Sequence, residues 1–269
     1  MVNNERVTLT SRETGGLGEL QLVQPPGSFA LTPASRMALQ AVGKHQHLLS
    51  GTGLDWGSGL GCLAIAAARI EAVQQVIGLE IAAVNIAAAR ENAVLNNVAG
   101  KTDFFQADSY APFAGDERSR LEATQGKVNF ILANPPSSEG DDGFGYRRVV
   151  LKDARPFLAP GAVVFLSVSY QYGPRRVADL TQHIPGFSYG GVLISSDWVP
   201  FDLRRPDLLH CLLLYAGEEQ RGGANYVFPH PEDPDAWVNA QTALANFRHT
   251  GVSPQTRWQV HLFRYEGAL

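Results

Sequence analysis

The sequence predicts an α/β protein with a doubly wound, seven-stranded, mostly parallel sheet. Between residues 53 and 215, short apolar runs alternate with stretches of helical spacing. The runs are rich in Val, Ile and Leu with little alternation, which is typical of strands buried on both faces by helices. The chain has 269 residues, of which 45% are hydrophobic, so it can bury a sizeable core.

The predicted elements follow in a regular order. Residues 6–9 and 19–24 alternate apolar and polar positions around a glycine-rich centre, which predicts a β-hairpin. A helical spacing covers about 34–49. Strands are then predicted near 53–56, 75–80, 103–107, 128–133, 162–169, 189–195 and 208–215, and helices near 59–70, 81–97, 146–158 and 174–184. Because no helical pattern separates the last two runs, we expect an antiparallel pair at one edge of the sheet.

Three segments are expected along the chain. Residues 1–30 would form the hairpin and a lid segment, 31–217 the main domain, and 218–269 a C-terminal extension packed on it. The segments 218–223 and 229–234 have the composition of connectors. Apolar residues in the extension follow first a helical and then a strand period: Trp237, Ala240, Leu244 and Phe247, then Trp258, Val260 and Leu262.

Composition limits which cellular compartment and which binding partners are expected. With 22 Lys and Arg against 26 Asp and Glu, the net charge is -4, so charge does not favour nucleic acid as a partner. No apolar run approaches the length of a membrane span, and the N-terminus lacks an apolar signal core. The two cysteines cannot build a disulfide framework, which favours a reducing, cytoplasmic compartment. No metal is expected, because His45 and His47 have no Cys or carboxylate at ligand spacing.

The most informative segment is a glycine loop between a strand and a small-residue helix. It contains Asp55, Gly57, Ser58, Gly59 and Gly61. Glycines allow a tight turn and let a ligand approach the N–H groups at the start of the helix. A dinucleotide loop has the spacing Gly-x-Gly-x-x-Gly, but here the third glycine comes one residue early. Asp55, two places before the first glycine, suits an ammonium group better than a diphosphate.

Glu80 ends the next predicted strand, where a carboxylate can accept hydrogen bonds from both hydroxyl groups of a ribose. The pattern Asp-x-Gly-x-Gly-x-Gly after a strand resembles motif I of class I S-adenosylmethionine-dependent methyltransferases, which have a Rossmann-like fold. That resemblance implies S-adenosylmethionine as the cofactor, with the loop around its amino acid end. It also implies that Asp108 accepts from the adenine amino group, and that Ala107 or Ser109 lines the ring pocket.

The segment Asn134, Pro135, Pro136 and Ser137 follows the fourth predicted strand of the sheet. The two prolines fix the backbone and remove two N–H donors, so the turn offers mainly acceptors, the Asn134 amide oxygen and the Pro135 carbonyl. Such a site suits an NH2 group. If both its hydrogens are held, the nitrogen lone pair can be aimed at an electrophilic methyl group, and catalysis is mostly orientation.

Together these motifs resemble the amino methyltransferases with an Asn-Pro-Pro-aromatic signature. These are the release factor glutamine N5 methyltransferases, the N6-adenine methyltransferases and the guanine N2 enzymes of ribosomal RNA. The resemblance covers roughly residues 25–217. It assigns catalysis to Asn134, Pro135 and Pro136, with Asn134 also at the cofactor, and it extends upstream to 29–33, a stretch that those enzymes fold over the cofactor.

One departure concerns the acceptor. Ser137 stands where adenine and glutamine enzymes carry an aromatic ring, and a hydroxyl group cannot stack on a planar substrate. Ser137, Phe144 and Tyr146 are therefore candidate substrate contacts, and Trp198 and Tyr226 are further aromatic candidates for completing the pocket. The acceptor stays open between a protein glutamine, a small-molecule amine and a nucleobase.

Direct displacement at the sulfonium methyl requires no metal. Two other readings of the sequence remain at this point. An NAD(P)-dependent oxidoreductase would keep the glycine loop and Glu80 but has no use for Asp55 or Asn134. A non-catalytic module on the same fold would bind S-adenosylmethionine and transfer nothing.

Overall fold

A computed structural model of the chain describes residues 5–28, 31–230, 233 and 236–267. The strands are β1 (Glu5–Leu9), β2 (Leu20–Gln24), β3 (Gly51–Trp56), β4 (Val73–Glu80), β5 (Thr102–Asp108), β6 (Ala111–Pro112), β7 (Val128–Ala133), β8 (Leu158–Ser167), β9 (Phe187–Ser195), β10 (Val199–Pro200), β11 (Phe228–Pro229), β12 (Trp237–Val238), β13 (Gln255–Thr256) and β14 (Gln259–Tyr265). The helices are α1 (Pro33–Lys44), α2 (Cys62–Ala68), α3 (Ala83–Leu95), α4 (Gly115–Glu122), α5 (Gly145–Ala154), α6 (Pro174–His183), α7 (Pro206–Gln220) and α8 (Ala240–Thr250).

The central sheet has the strand order β6-β5-β4-β3-β7-β8-β14-β9. Strands β3, β4, β5, β7 and β8 are parallel, and β14 is antiparallel to both of its neighbours. Seven of these strands are long, and the eighth, β6, has two residues and pairs with the end of β5. The predicted α/β class with a mostly parallel sheet is therefore confirmed.

Helices cover both faces of the sheet, as a doubly wound architecture requires. Along β7, Phe130 and Leu132 belong to one buried cluster, while Ile131 and Ala133 belong to the other. The first cluster also contains residues of the hairpin and of α1, α2 and α3, and the second contains residues of α4 to α8. Burial on both faces explains why these strands show no alternation in the sequence.

The strand predicted at 208–215 is wrong, because these residues lie within helix α7. The run is built of Leu, Cys, His and Tyr and has no β-branched residue, and Pro206 and Asp207 begin the helix as good first-turn residues. The buried positions, Leu208, Leu212, Tyr215, Ala216 and Glu219, follow a helical spacing. An unbroken apolar run thus conceals which period the chain adopts.

The second strand of the antiparallel pair at the sheet edge comes instead from β14. It lies between β8 and β9, with Val260 opposite Ser167 and Phe263 opposite Val164 of β8. The alternation of Trp258, Val260 and Leu262 predicted a strand here, and that prediction is confirmed. The chain after α7 therefore contributes a strand to the central sheet.

The predicted boundary between 217 and 218 falls inside α7, which ends at Gln220. The buried Glu219 accepts hydrogen bonds from the N–H groups of Tyr226, Ala240 and Gln241, at 2.8, 3.0 and 3.0 Å. A carboxylate at the N-terminus of a helix is favoured by the unpaired N–H groups there, so Glu219 attaches α8 to α7. Pro231, Glu232 and Pro234 of the expected connector lie outside the described residues.

The predicted N-terminal hairpin is confirmed by the antiparallel pair β1 and β2. Asn92 of α3 and Asn96, which follows α3 directly, hold β2 by its main chain: Asn92 accepts from the Val23 N–H at 2.6 Å, and Asn96 accepts from the Gln21 N–H at 3.1 Å. Asn92 also donates to the Leu60 carbonyl in the glycine loop at 3.1 Å. The hairpin is thus tied to the same helix as the loop.

Two further expectations concern the lid segment and the membrane. Phe29 and Ala30, part of the expected lid segment, lie outside the described residues. No helix among the residues that the structure describes has both the length and the apolar character needed to cross a bilayer.

Candidate active site

A cavity of about 930 Å3 opens at the carboxyl ends of β3, β4, β5, β7 and β8. We distinguish two parts of its wall. The glycine-loop half includes Asp55, Gly57, Ser58, Gly59, Glu80 and Asp108, and the Asn-Pro-Pro half includes Asn134, Pro135, Ser137, Arg147, Tyr172 and Tyr215. Parallel strands deliver these groups to one edge because their carboxyl ends all lie there.

The three glycines of the loop have different surroundings. Gly57, Gly59 and Gly61 all have positive φ, at 66°, 52° and 80°, which favours glycine. A Cβ atom added to Gly57 or Gly59 would meet nothing within 4 Å, whereas one added to Gly61 would lie 2.8 Å from the Phe104 ring. Gly57 and Gly59 line the cavity and leave room for a ligand, while Gly61 packs in the core and does not line it.

Asp55 lies at the end of β3 and is fully buried. Its Oδ2 accepts a hydrogen bond from the Ala64 N–H in α2 at 2.9 Å, but no described residue donates to Oδ1. Burial, with a smaller contribution from the Glu80 carboxylate, raises the pKa of Asp55 to about 7. A cation placed beside Oδ1 would stabilise the ionised form of this carboxyl group.

Glu80, at the end of β4, is hydrogen-bonded to the glycine loop. Its Oε2 accepts from the Gly59 N–H at 2.9 Å, and its Oε1 accepts from the Ala82 N–H at 2.8 Å and from the Asn85 amide at 3.2 Å. These bonds leave one acceptor position, on Oε2, open to a ligand. Nearby, Ser58 Oγ and Asn85 Oδ1 are buried without a partner among the described residues.

The end of β5 carries the other predicted contacts of the glycine-loop half. Asp108 is exposed, Ala107 is buried, and both line the cavity. Ser109 follows with φ of 55° and accepts a hydrogen bond from the Trp56 indole at 2.8 Å. Trp56 lines the cavity, a role that no pattern in the sequence indicated.

The Asn-Pro-Pro turn begins directly after β7. The Asn134 amide donates to Ser35 Oγ in the first turn of α1 at 3.2 Å, and the Ser35 N–H donates to Thr32 at 3.1 Å. Because the NH2 end of the amide is engaged by Ser35, the Asn134 oxygen is left as an acceptor. The hydrogen bond between Asn134 and Ser35 thus joins this turn to the first turn of α1, although the two residues are 99 positions apart in the chain.

Arg147, in the first turn of α5, is a residue of the site that sequence analysis missed. Its guanidinium donates to the Pro135 carbonyl at 3.3 Å and to the Pro136 carbonyl at 3.2 Å. The side chain is 4% exposed and lines the cavity. In the sequence, Arg147 and Arg148 look like an ordinary charged pair on a helix surface, and nothing distinguishes the buried one.

The aromatic candidates for the acceptor pocket lie in different places. Tyr146 is 43% exposed and lines the cavity 6.0 Å from the Trp56 ring. Phe144 is fully buried and does not line the cavity, and neither do Trp198 and Tyr226. Ser137 does line it, and its Oγ accepts from the Tyr172 hydroxyl at 3.0 Å.

Helix α7 also supplies residues to the Asn-Pro-Pro half. Leu208, Cys211 and Tyr215 line the cavity, and all three lie in the segment that was predicted as a strand. The Tyr215 hydroxyl lies 2.8 Å from that of Tyr172, and its ring stacks on Tyr226 at 4.1 Å. This part of the cavity wall is thus built by residues far along the chain from the glycine loop.

Known proteins resemble this chain in sequence and in fold. It is 25% identical over 154 residues to the release factor glutamine methyltransferase of Thermodesulfovibrio yellowstonii, a match that covers 51% of this chain and 54% of that protein. The chain thus spans about half the length of this curated relative. A methyltransferase from Pyrococcus furiosus has a TM-score of 0.53 at 16% identity, with 93% of this chain and 90% of that chain covered. The tRNA m1G37 methyltransferase of M. jannaschii has a TM-score of 0.51 at 10% identity, with 93% and 55% covered.

At these identities the two solved structures are evidence of a shared fold alone. The family evidence comes from sequence. Residues 19–184, which include the glycine loop and the Asn-Pro-Pro turn, match the family described as Methyltransferase small domain. This match covers more than half of the chain, and the chain therefore belongs to the methyltransferase small domain family.

Proposed function

We propose that the protein is an S-adenosylmethionine-dependent N-methyltransferase that moves a methyl group to an amino or amide nitrogen by direct displacement. One observation carries the proposal: a single cavity has the half-paired Asp55 carboxyl group in its glycine-loop half and the Asn134 amide oxygen with the Pro135 carbonyl in its Asn-Pro-Pro half. The first group suits a cationic amino acid group, and the other two suit the hydrogens of an NH2 group.

The residues of the glycine-loop half fit S-adenosylmethionine. Three buried polar atoms there, Asp55 Oδ1, Ser58 Oγ and Asn85 Oδ1, have no partner among the described residues, which favours a polar ligand beside them. Asp55 would hold the ammonium group and Gly57 and Gly59 would allow close approach. Glu80 would accept one ribose hydroxyl at its open position, and Asp108 would face the adenine amino group. When bound, the sulfonium supplies an electrophilic methyl group.

The protein's own contribution is orientation. The Asn134 oxygen and the Pro135 carbonyl would accept the two hydrogens of the acceptor nitrogen, so that its lone pair points toward the glycine-loop half. Pro136 keeps the turn rigid and adds no competing N–H group. The buried wall around Tyr172 and Tyr215 excludes water from the reacting nitrogen, because these side chains are 2% and 3% exposed.

The acceptor class stays within protein glutamine, small-molecule amine and nucleobase. The partial relative is a release factor glutamine methyltransferase, which supports an amide nitrogen. The place of the aromatic ring of that family is taken by Ser137, which cannot stack on a planar group. The net charge of -4 does not favour nucleic acid.

Two measurements test the proposal. Calorimetry should show binding of S-adenosylmethionine and none of NADH, and NADH binding alone would favour the oxidoreductase instead. Methyl-labelled S-adenosylmethionine is then incubated with a fractionated lysate, and label is scored separately in protein, RNA, DNA and small molecules. We expect a product with a new methyl–nitrogen bond, identified by mass spectrometry. Donor binding without transfer would support a non-catalytic module, and a methyl group on oxygen, sulfur or carbon would contradict the proposal.

A further inference from the structure

Arg147 is a buried cation that the proposed reaction does not use. It lies in α5, facing away from solvent, and its hydrogen bonds within the described part of the chain go to main-chain carbonyl groups. Burial of a charged side chain is costly unless its hydrogen-bonding groups are satisfied. A charge on the protein surface therefore does not explain why an arginine occupies this buried position.

The guanidinium joins three segments of the chain. Nε donates to the Ser167 carbonyl at the end of β8 at 3.2 Å, and Nη1 donates to the Gly143 carbonyl before α5 at 2.9 Å. The remaining bonds reach the Asn-Pro-Pro turn, from Nη1 to Pro136 at 3.2 Å and from Nη2 to Pro135 at 3.3 Å. The Tyr172 ring covers the guanidinium, with 4.9 Å from its carbon to the ring centroid.

The turn itself has few means of holding its shape. Pro135 and Pro136 have no N–H group, so neither residue can anchor the turn by donating a main-chain hydrogen bond. Outside the helices and strands, the main-chain bonds of the described residues include none to the Pro135 or Pro136 carbonyl. The planar fork of Arg147 satisfies both carbonyls with charge-assisted bonds, which are stronger than neutral ones.

We propose that Arg147 is a positioning residue for methyl transfer, which clamps the Pro135 and Pro136 carbonyls and so fixes the Asn-Pro-Pro turn against β8. The inference rests on the proposed N-methyl transfer, in which the Pro135 oxygen holds the acceptor nitrogen with its second lone pair. Misplacement of reacting atoms by about 1 Å can lower the rate roughly 100-fold. Without the clamp, Pro135 and Asn134 would lose their fixed distance from the donor methyl.

The kinetic test compares Arg147→Met with Arg148→Met, using labelled S-adenosylmethionine and the lysate fraction that the wild type methylates. Arg148 is the matched control, because it lies next along α5 and pairs with Asp142 at the surface. We expect kcat to fall roughly 100-fold in Arg147→Met while the donor Kd changes by less than about twofold. Arg148→Met should match the wild type. An unchanged kcat, or an equal loss of donor affinity, would overturn the role.

Two further variants separate positioning from folding. Arg147→Lys keeps the charge without the fork and should give a kcat between those of Arg147→Met and the wild type. In Arg147→Ala, guanidinium ion at low millimolar concentration should raise kcat while the folded fraction, followed by circular dichroism, stays constant. Methylammonium at the same concentration should restore less. Recovery that follows only the folded fraction would reduce Arg147 to a structural residue.

A crystal structure of Arg147→Met with S-adenosylhomocysteine tests the clamp without any acceptor. We expect the turn at 134–137 to move relative to β8 while the glycine loop stays in place. An unmoved turn would overturn the clamp even if the wild type methylates nitrogen. If the turn moves but the wild type methylates no nitrogen, the clamp role of Arg147 is supported and only the proposed function is contradicted.

Discussion

The hydroxyl group of Tyr172 donates a hydrogen bond to Ser137 Oγ at 3.0 Å, at the position where the Asn-Pro-Pro enzymes that this chain resembles carry an aromatic ring. The Tyr215 hydroxyl lies 2.8 Å from the same Tyr172 oxygen. Because the one hydroxyl hydrogen of Tyr172 goes to Ser137, Tyr215 must be the donor in the second bond. The two tyrosines thus form a directed chain of hydrogen bonds that ends at Ser137 in the cavity wall.

This chain predicts an energetic coupling between Tyr172 and Ser137. Tyr172→Phe removes the link and takes from the buried Tyr215 hydroxyl its partner at 2.8 Å, so the free energy of unfolding should fall by about 1–3 kcal/mol. In a double-mutant cycle with Ser137→Ala, measured by urea denaturation, the coupling energy should be about 1 kcal/mol. Strictly additive effects of the two substitutions would show that the contact contributes nothing.

Asn134 is predicted to act on the acceptor and not on the donor. Asn134→Ala should lower kcat for methyl transfer by about 100-fold, with S-adenosylmethionine affinity nearly intact, because its oxygen would contact the reacting nitrogen. Ser35→Ala serves as the control, since it removes the hydroxyl group that holds the Asn134 amide, together with its contact to Thr32, and leaves the Asn134 oxygen in place. It should cost less than Asn134→Ala. Equal losses of donor binding and of transfer would contradict the assigned role.

Glu80 is predicted to act on the donor. Glu80→Gln removes the charge at the open Oε2 position and weakens the bond to the Gly59 N–H, so donor affinity should fall by about 1.5–3 kcal/mol. Calorimetry with S-adenosylmethionine measures this change directly. Glu91→Gln, at an exposed position on α3, is a control of the same chemistry and should bind like the wild type. A Glu80→Gln protein with wild-type affinity would remove Glu80 from the site.

Asp55 predicts a pH dependence of donor binding. Its pKa is raised to about 7 by burial, so in the unliganded protein it takes up a proton below neutral pH. Only the ionised form attracts the ammonium group, so the Kd for S-adenosylmethionine should rise about tenfold for each pH unit below 7. Calorimetry between pH 5.5 and 7.5 measures the slope. Asp55→Asn should bind more weakly and lose the slope, and a slope that persists in this variant belongs to another group.

Because His261 is buried, we expect the free energy of unfolding to decrease in acid. Its Nε2 lies 3.2 Å from the Val168 carbonyl and its Nδ1 lies 2.9 Å from the Tyr189 hydroxyl, so a neutral ring that donates from Nε2 and accepts at Nδ1 satisfies both bonds. Burial lowers the pKa of His261 to about 4 from 6.5. In that interval the unfolded chain binds the proton and the folded protein does not, so the free energy of unfolding falls as the pH drops.

The loss associated with His261 should approach about 3 kcal/mol by pH 4. Urea denaturation of wild type and His261→Gln at pH 7, 6, 5 and 4.5 measures the difference. The raised pKa of Asp55 acts in the opposite direction, because the folded state then binds the extra proton and stability falls as the pH rises from about 4 toward 7. Comparing the two proteins at each pH cancels that contribution. Parallel pH profiles would exclude His261 as the source.

Local sequence patterns were sufficient to predict the two motifs of the site. The glycine loop and the Asn-Pro-Pro turn each consist of neighbouring residues directly after a strand, and parallel strands end at one edge of the sheet. Knowing the strands was therefore enough to place Asp55, Glu80, Asp108 and Asn134 around one cavity. Backbone conformation does not distinguish the three glycines of the loop, since all have positive φ. Only the packing of Gly61 against Phe104 shows that it lies in the core.

The remaining wall of the cavity depends on contacts between distant parts of the chain. An unbroken apolar run such as 208–215 does not show whether the segment forms a strand or a helix. Because it forms helix α7, the Tyr215 hydroxyl lies next to that of Tyr172. Arg147 and Arg148 look alike in the sequence, and only the convergence of β7, α5 and β8 makes one of them a buried donor to four carbonyls. Short-range order can be predicted from propensity and period, but burial and hydrogen-bond partners exist only once separate segments pack together.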